Sequence, residues 1–310
     1  MSAAANAGTA KAILASRADA DHQVSLSNIL VATDFSPASE AALGFALAIA
    51  RRYESRIYVA HVILPNSYQL VPPEAVESTY ELVRRHAEEE MADLLVSGRL
   101  RSVVHEVLLE GGLLWPTLAN MIHKHAVQLV IVGTHGRTGT RKLLLGSSAE
   151  EVFRVADCPV MTVGPQVKIE PPQEVELKRI LYATDFTAKG ERAAAYALSL
   201  AQEHQAELTL LHVIESGDGV SSKNVAALRA MFLKRLEALV PPQARSWCDP
   251  TCVVTVGNSA DEILAVARER ASDLIVLGVR RATGFAGHLP ASRAYKVVCQ
   301  AQCPVLTVRG

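Results

Sequence analysis

The stretch Asn28-Ile29-Leu30-Val31-Ala32-Thr33-Asp34-Phe35-Ser36 occurs twice in this chain. It returns as Arg179-Ile180-Leu181-Tyr182-Ala183-Thr184-Asp185-Phe186-Thr187, with Ala-Thr-Asp-Phe identical and 151 residues between Asp34 and Asp185. The same offset links Ala60-His61-Val62-Ile63 to Leu211-His212-Val213-Ile214. Further on it shortens to 145, linking Val130-Ile131-Val132-Gly133 to Ile275-Val276-Leu277-Gly278 and Cys158-Pro159-Val160 to Cys303-Pro304-Val305. The first copy is therefore six residues longer after its second apolar run, and the Pro-containing stretch Leu64 to Pro73 is the place for them. Self-similarity at this period means a duplicated domain, and 310 residues suit two domains of about 150 each. The expected organisation is a mobile tail over 1–27, a first domain over 28–164, a surface linker over 165–177 and a second domain over 178–310. The linker assignment rests on Pro165, Pro171, Pro172 and the charged residues between them.

Within each copy, apolar and β-branched runs alternate with helical patterns. Ile29–Ala32, Ile57–Val62, Val103–Leu109, Leu129–Val132 and Val160–Val163 read as strands buried on both faces. After the first, Ser36 suits a helix cap with Pro37 at the first helical position. Ala42, Phe45, Ala46 and Ile49 then fall on one helix face, a stripe repeated as Ala193, Tyr196, Ala197 and Leu200. This alternation predicts α/β architecture: two tandem Rossmann-like domains, each an open five-stranded parallel sheet with helices on both faces. Ligands of such folds sit beyond the carboxyl ends of the strands, at the switch in strand order. The loops after Ala32, Val62 and Val132 are thus where function is sought.

Composition narrows the classes. With 31 basic and 32 acidic residues the net charge is −1, so no basic excess points to nucleic acid. Hydrophobic residues at 49% and charged ones at 20% describe a folded protein with ample core. No apolar run approaches the roughly 20 residues needed to span a bilayer, and Met1 to Ser27 lacks the basic start and apolar stretch of a secretory signal. The five cysteines include two CxxxC spacings, unlike zinc or thioredoxin motifs, and read as reduced thiols of a cytoplasmic protein.

After the fourth run the first copy reads Gly133-Thr134-His135-Gly136-Arg137-Thr138-Gly139-Thr140-Arg141-Lys142-Leu143-Leu144-Leu145-Gly146-Ser147-Ser148. Glycines admit positive φ and let N–H groups approach an oxyanion with no Cβ in the way. Gly146-Ser147-Ser148 precedes a helical pattern over Ala149 to Val155, whose first N–H groups suit a phosphate. Arg137, Arg141 and Lys142 add positive charge, and Asp34 faces the same crevice from the first strand, placed for a ribose or a metal. No Lys follows Gly146, so this is not a Walker loop, and the glycines follow the fourth strand, unlike the dinucleotide fingerprint. Tight turns or close helix packing would explain the glycines equally well at this point.

The spacing Gly133-x₂-Gly136-x₉-Gly146-Ser147 resembles the ATP-binding signature G-x₂-G-x₉-G-[ST] of the universal stress protein (UspA-like) family. The resemblance extends over ATDFS, HV, VGTHGR, LLLGSSAE and CPVMTV and covers nearly everything after residue 27. It implies an ATP-binding stress-response protein with two such domains. Adenine would meet the backbone of Val62, with Ala32 and Thr33 on the adenosine side and Asp34 on the ribose. Gly133, Gly136, Arg137, Gly146, Ser147 and Ser148 would hold the phosphates, together with Mg2+ or Mn2+. It further implies that the two domains pair about a pseudo-twofold through the final CPV strands, with homodimerisation beyond that.

The second copy departs from the signature. At the 145 offset Gly136 becomes Arg281 and Gly146 becomes Ala291, which predicts a degenerate site, although Asp185, Val213, Gly278 and Ser292 remain. His61 and His212 read as structural, His123 and His125 as a poor metal pair, and the stretch from Pro72 to Val96 as a helix near the crevice mouth. No Ser/His/Asp or Cys/His constellation surfaces, so ATP is expected as a regulatory ligand with at most weak hydrolysis. The rival expectations are a slow ATPase or a phosphoryl- or adenylyl-transfer enzyme at the same crevice, or a nucleotide-free interaction scaffold.

Overall fold

The computed structural model describes residues 24–65, 72–134, 146–167, 175–215, 224–248, 250–279 and 293–309. The first copy runs β1 (Asn28–Ala32), α1 (Pro37–Tyr53), β2 (Arg56–Ile63), α2 (Val76–Val96), β3 (His105–Gly111), α3 (Leu114–Lys124), β4 (Leu129–Gly133), α4 (Ser147–Val155) and β5 (Val160–Val163). The second repeats it as β6 (Arg179–Ala183), α5 (Ala188–His204), β7 (Glu207–Glu215), α6 (Val225–Ala238), β8 (Thr251–Gly257), α7 (Ser259–Glu269), β9 (Leu274–Val279), α8 (Arg293–Gln300) and β10 (Val305–Arg309).

The strands form one ten-stranded sheet in the order β3-β2-β1-β4-β5-β10-β9-β6-β7-β8. Pairing is parallel within each copy, and the copies meet where β5 and β10 run antiparallel, Thr162 opposite Val305 and Val160 opposite Thr307. The expected pairing through the final strands is thus present. It is sealed reciprocally: Thr162 Oγ1 donates to the Val305 carbonyl at 3.2 Å and Thr307 Oγ1 to the Val160 carbonyl at 3.0 Å, both hydroxyls buried. On one face Tyr53 of α1 hydrogen-bonds Ser199 of α5 at 2.9 Å, joining the copies a second time.

Alternation along the strands sends Ile29 and Val31 to the sheet face covered by α1, α2, α5 and α6, and Leu30 to the face covered by α3, α4, α7 and α8. Both faces are apolar because both are covered. Ser36 caps α1 by accepting the Ser39 N–H at 3.3 Å, with Pro37 at the first position, and the stripe Ala42, Phe45, Ala46 and Ile49 is buried as read. In the second stripe Tyr196 is only half-buried, while Ala193, Ala197 and Leu200 are inside.

Three details differ from the sequence reading. The third strand begins at His105, not Val103, because residues up to Val103 close a turn in which the Val103 N–H returns to the Leu100 carbonyl at 3.2 Å. Helix α4 starts at Ser147, two residues earlier than its apolar pattern, since a first turn needs no buried residue. Third, Leu26 and Leu177, in segments read as tail and linker, are 2% and 1% exposed and belong to the core. The Leu26 carbonyl accepts a hydrogen bond from Ser55 Oγ, tying the chain down before β1 begins.

Candidate functional site

In the first copy β2 and β4 flank β1, so the chain leaves β1 toward one side and returns on the other, and the crevice opens at the carboxyl ends of these three strands. The turn leaving β1 is bound tightly. The Thr33 N–H donates to the Ala60 carbonyl at 2.9 Å, and its carbonyl accepts from His61 Nδ1 at 2.8 Å. Its hydroxyl donates to Ser39 Oγ and accepts the Phe35 N–H, both at 3.0 Å. Thr33 therefore shapes the crevice wall, its polar groups spent on the turn. Phe35 sits at φ 62°, a left-handed conformation strained for an aromatic residue, with its ring 4.8 Å from that of His61. The second copy repeats the strained residue and the histidine bond: Phe186 at φ 56°, His212 Nδ1 on the Thr184 carbonyl at 2.9 Å, rings 4.8 Å apart. The recurrence of Phe and His at one offset was the sequence signal for this device; the strain itself was not legible.

Asp34 follows, half-buried, with Oδ1 accepting the Ser36 N–H at 3.1 Å, which aims its carboxylate at the crevice end of α1. Ala32 closes β1 and Val62 lies near the end of β2, 8% exposed, opposite Glu110 of β3. Gly133 ends β4, and here the glycine has a packing cause. A Cβ on it would lie 2.6 Å from the Ala38 carbonyl carbon and 2.7 Å from Ser39 N, so the first turn of α1 rests directly on this residue. Gly133 and Gly146 do not use the positive φ that glycine admits. Neither is among the described residues with positive φ, and Gly146 has φ −61° and ψ 148°.

Gly146 instead caps α4 without a side chain. Its N–H donates to the Thr134 carbonyl at 2.7 Å, its carbonyl accepts the Glu150 N–H at 2.9 Å, and no side chain caps the turn. The start of α4 therefore presents backbone N–H groups and the positive end of the helix dipole at the crevice, with Ser147 and Ser148 exposed in that first turn. Gly136 and Arg137, with His135, Arg141 and Lys142, lie outside the described residues, as do Arg280, Arg281, Ala291 and Ser292 of the second copy. The structure thus gathers Ala32, Thr33, Asp34 and Val62 on strand ends and Gly133, Gly146, Ser147 and Ser148 around the β4–α4 connection. Helix α2, expected near the mouth, packs on β2 and β3 with Ala87, Met91 and Leu94 buried.

The equivalent crevice of the second copy is a cavity of about 550 Å³ at the ends of β6, β7 and β9, and its lining differs. Phe232 of α6 stacks on Phe186 at 5.7 Å and lies tilted against the His212 ring at 4.0 Å, and Arg235 lies 4.1 Å over the Phe186 ring. At the 145 offset these positions are Ala87 and Glu90 in the first copy. Burial pushes the His212 imidazole below its ordinary pKa. At the rim Glu215 accepts from Ser259 Oγ and pairs with Arg293 Nε at 3.3 Å, where the first copy has Leu64 and Ser148.

Comparison with known proteins agrees with this geometry. The family model described as the universal stress protein family matches residues 26–164 and again 176–309. The universal stress protein Rv2623 of Mycobacterium tuberculosis is 26% identical over 294 residues, covering 91% of this chain and 96% of that protein. The universal stress protein MJ0531 of Methanocaldococcus jannaschii is 30% identical over 140 residues, covering 44% of this chain and 80% of that one. Among solved structures, a universal stress protein from Archaeoglobus fulgidus superposes with a TM-score of 0.68 at 22% identity, covering 92% of this chain and 99% of that one, a likeness of fold.

Proposed function

The chain belongs to the universal stress protein family, and from that premise we propose that its first domain binds ATP as a ligand that sets conformation or partner choice in a stress response. The observation that carries this reading is the start of α4, a helix N-terminus capped only by Gly146, at the β1–β4 switch point shared with Asp34. Its N–H groups and dipole suit phosphate oxygens, and the absence of a Cβ at Gly146 lets them approach. Asp34, oriented by the Ser36 N–H, accepts the ribose hydroxyls. Adenine meets the Val62 backbone beside Ala32 and the Thr33 turn, while Gly136, Arg137, Ser147 and Ser148 complete the phosphate end. Among the described residues no three His, Cys, Asp or Glu side chains gather as a metal site. Mg2+ or Mn2+ would arrive with the nucleotide and be held chiefly by its phosphate oxygens. Bound ATP supplies free energy of stabilisation to the state that holds it, by mass action.

The organisation proposed with this function is a nucleotide domain over 28–164 and a second domain over 178–310 that does not share its phosphate chemistry. Among the described residues no helix is long and apolar enough to cross a membrane. A cytoplasmic, homodimeric protein without nucleic-acid partners completes the proposal. Calorimetric titration of nucleotide-stripped protein with Mg·ATP tests it. One site per chain, lost or much weakened in Asp34→Ala, is the expected result, with phosphate release near background. No binding would overturn it in favour of a nucleotide-free scaffold, and rapid multiple turnover would replace it with an ATPase.

A further inference from the structure

The second crevice is a formed cavity that the first-domain reading leaves unused. Its volume, about 550 Å³, lies within the range of small-molecule sites. Its walls come from three helices and strand ends and are largely apolar, with Leu211, Val213, Leu228, Phe232, Ile263 and Val297 among them. Each charged side chain of the lining already has a partner in the protein. Asp185 Oδ1 accepts the Thr187 N–H at 3.0 Å and its hydroxyl at 2.6 Å. Glu215 holds Ser259 and Arg293, and Arg235 lies on the Phe186 ring. Among the described residues of the lining two carboxylates and two guanidiniums balance. Phosphates at the start of α8 would meet the Glu215–Arg293 pair, with the Glu215 carboxylate standing where the first copy has Leu64.

We propose that this second crevice is a separate binding site for an uncharged, largely apolar small molecule that packs on the Phe232 ring, and that it has exchanged polyphosphate chemistry for apolar chemistry. The exchange is written in four substitutions between the copies: Ala87 to Phe232 builds the aromatic wall, Glu90 to Arg235 braces it, and Leu64 to Glu215 with Ser148 to Arg293 closes the rim as an ion pair. The inference does not depend on nucleotide in the first domain.

The probe is N-phenyl-1-naphthylamine, an uncharged aromatic amine whose fluorescence rises on leaving water, titrated into the full chain in saturating Mg·ATP. The expected result is one probe per chain, with Phe232→Ala weakening it about three- to tenfold, the loss of an aromatic contact. Ile263→Trp, which fills the cavity from α7, should weaken it more than tenfold. Because Ile263 is buried and that variant is at risk of misfolding, Leu228→Trp supplies the same block from half-exposed α6. Stoichiometric displacement of the probe by Mg·ATP would overturn the proposal and make the crevice a nucleotide site. Equal binding by wild type and Leu228→Trp, or no binding by wild type, would overturn it equally, by placing the probe elsewhere or nowhere.

Discussion

The substitution Gly146→Ser separates what α4 needs from what a bound nucleotide needs. Gly146 occupies the cap position with φ −61° and ψ 148°, a backbone geometry that serine adopts readily. A serine there accepts an N–H from the second or third residue of the helix, and replacing a glycine cap this way gains only about a few tenths of a kcal/mol. The nucleotide-free protein should therefore melt at the same temperature or about 1 °C higher. The phosphate end of the crevice loses that same N–H, now bonded to the hydroxyl, and gains a Cβ in the line of approach. One charge-assisted hydrogen bond contributes about 1.5–3 kcal/mol, which is roughly a 10- to 100-fold loss of Mg·ATP affinity. Calorimetry reads the affinity, and thermal unfolding with and without Mg·ATP reads the stability, so a protein slightly more stable when empty and much less stabilised by ligand is the expected pair of results. Unchanged affinity in a folded Gly146→Ser would refute the assignment of phosphates to the α4 N-terminus.

Gly133→Ala should destabilise the protein by about 2–3 kcal/mol, since its Cβ meets backbone of α1 that cannot yield cheaply; a neutral result in urea unfolding would contradict the packing account. At the domain junction Thr162→Val and Thr307→Val should each cost about 1 kcal/mol and by nearly the same amount, because the two hydroxyls make equivalent bonds across β5 and β10. Unequal losses, measured in urea, would show that the junction is not two-fold in energy. Burial at the end of α5 holds His204 at a pKa of about 4, below its ordinary 6.5, with Arg52 adding to the depression. The folded protein then binds fewer protons than the unfolded chain between these values, so stability is intact above about 6.5 and falls as the pH drops toward 4. His204→Gln should flatten that slope, and identical slopes for variant and wild type between pH 7 and 5 would rule the residue out.

Much of the frame was legible because the features that set it are local or repeated. The duplicated ATDF stretch, five apolar runs per copy, the Ser36-Pro37 start and the α1 stripe all act within a few residues of themselves. What escaped depended on contacts between distant segments. Gly133 looks like a loop glycine in the sequence, yet its requirement comes from Ala38, almost a hundred residues earlier. Phe35 and Phe186 take left-handed backbone, as do Glu54 and Gln205, and Ala126 and Ala271, and each pair falls at the repeat offset. An aromatic or acidic residue carries no marker for positive φ, so only the bonded surroundings identify such a turn. The β4–α4 connection of the first copy stood out by its glycine spacing, whereas the contents of the second crevice did not, because Phe232 and Arg235 reach Phe186 from a separate helix. Compensation between copies was hidden similarly: Val31 becomes Tyr182 while Ser39 becomes Gly190, and the Tyr182 hydroxyl donates to the Gly190 carbonyl at 2.7 Å.

If the first domain holds nucleotide as proposed, helix α4 is the physical route by which the second domain would feel it. Its N-terminus is the proposed phosphate site, and at its C-terminal end the Phe153 carbonyl accepts a hydrogen bond of 2.6 Å from buried Arg309 of β10. A cation at a helix C-terminus complements the dipole whose other end faces the phosphates, so both ends of one short helix are held by charge. A ligand that fixes the first turn of α4 restrains the helix as a body, and Arg309 passes that restraint to β10 and through it to β9. Mg·ATP should then slow hydrogen exchange in β10 as well as around the first crevice. Arg309→Met removes the link while leaving Asp34 and Gly146 untouched, so it should bind Mg·ATP with little change yet lose the added protection in β10. The substitution costs about 1–3 kcal/mol of stability, because a buried carbonyl loses its partner, and that baseline is measured on the nucleotide-free variant. Equal β10 exchange with and without Mg·ATP in the wild-type chain would refute the route through α4, whatever the affinity of the first site.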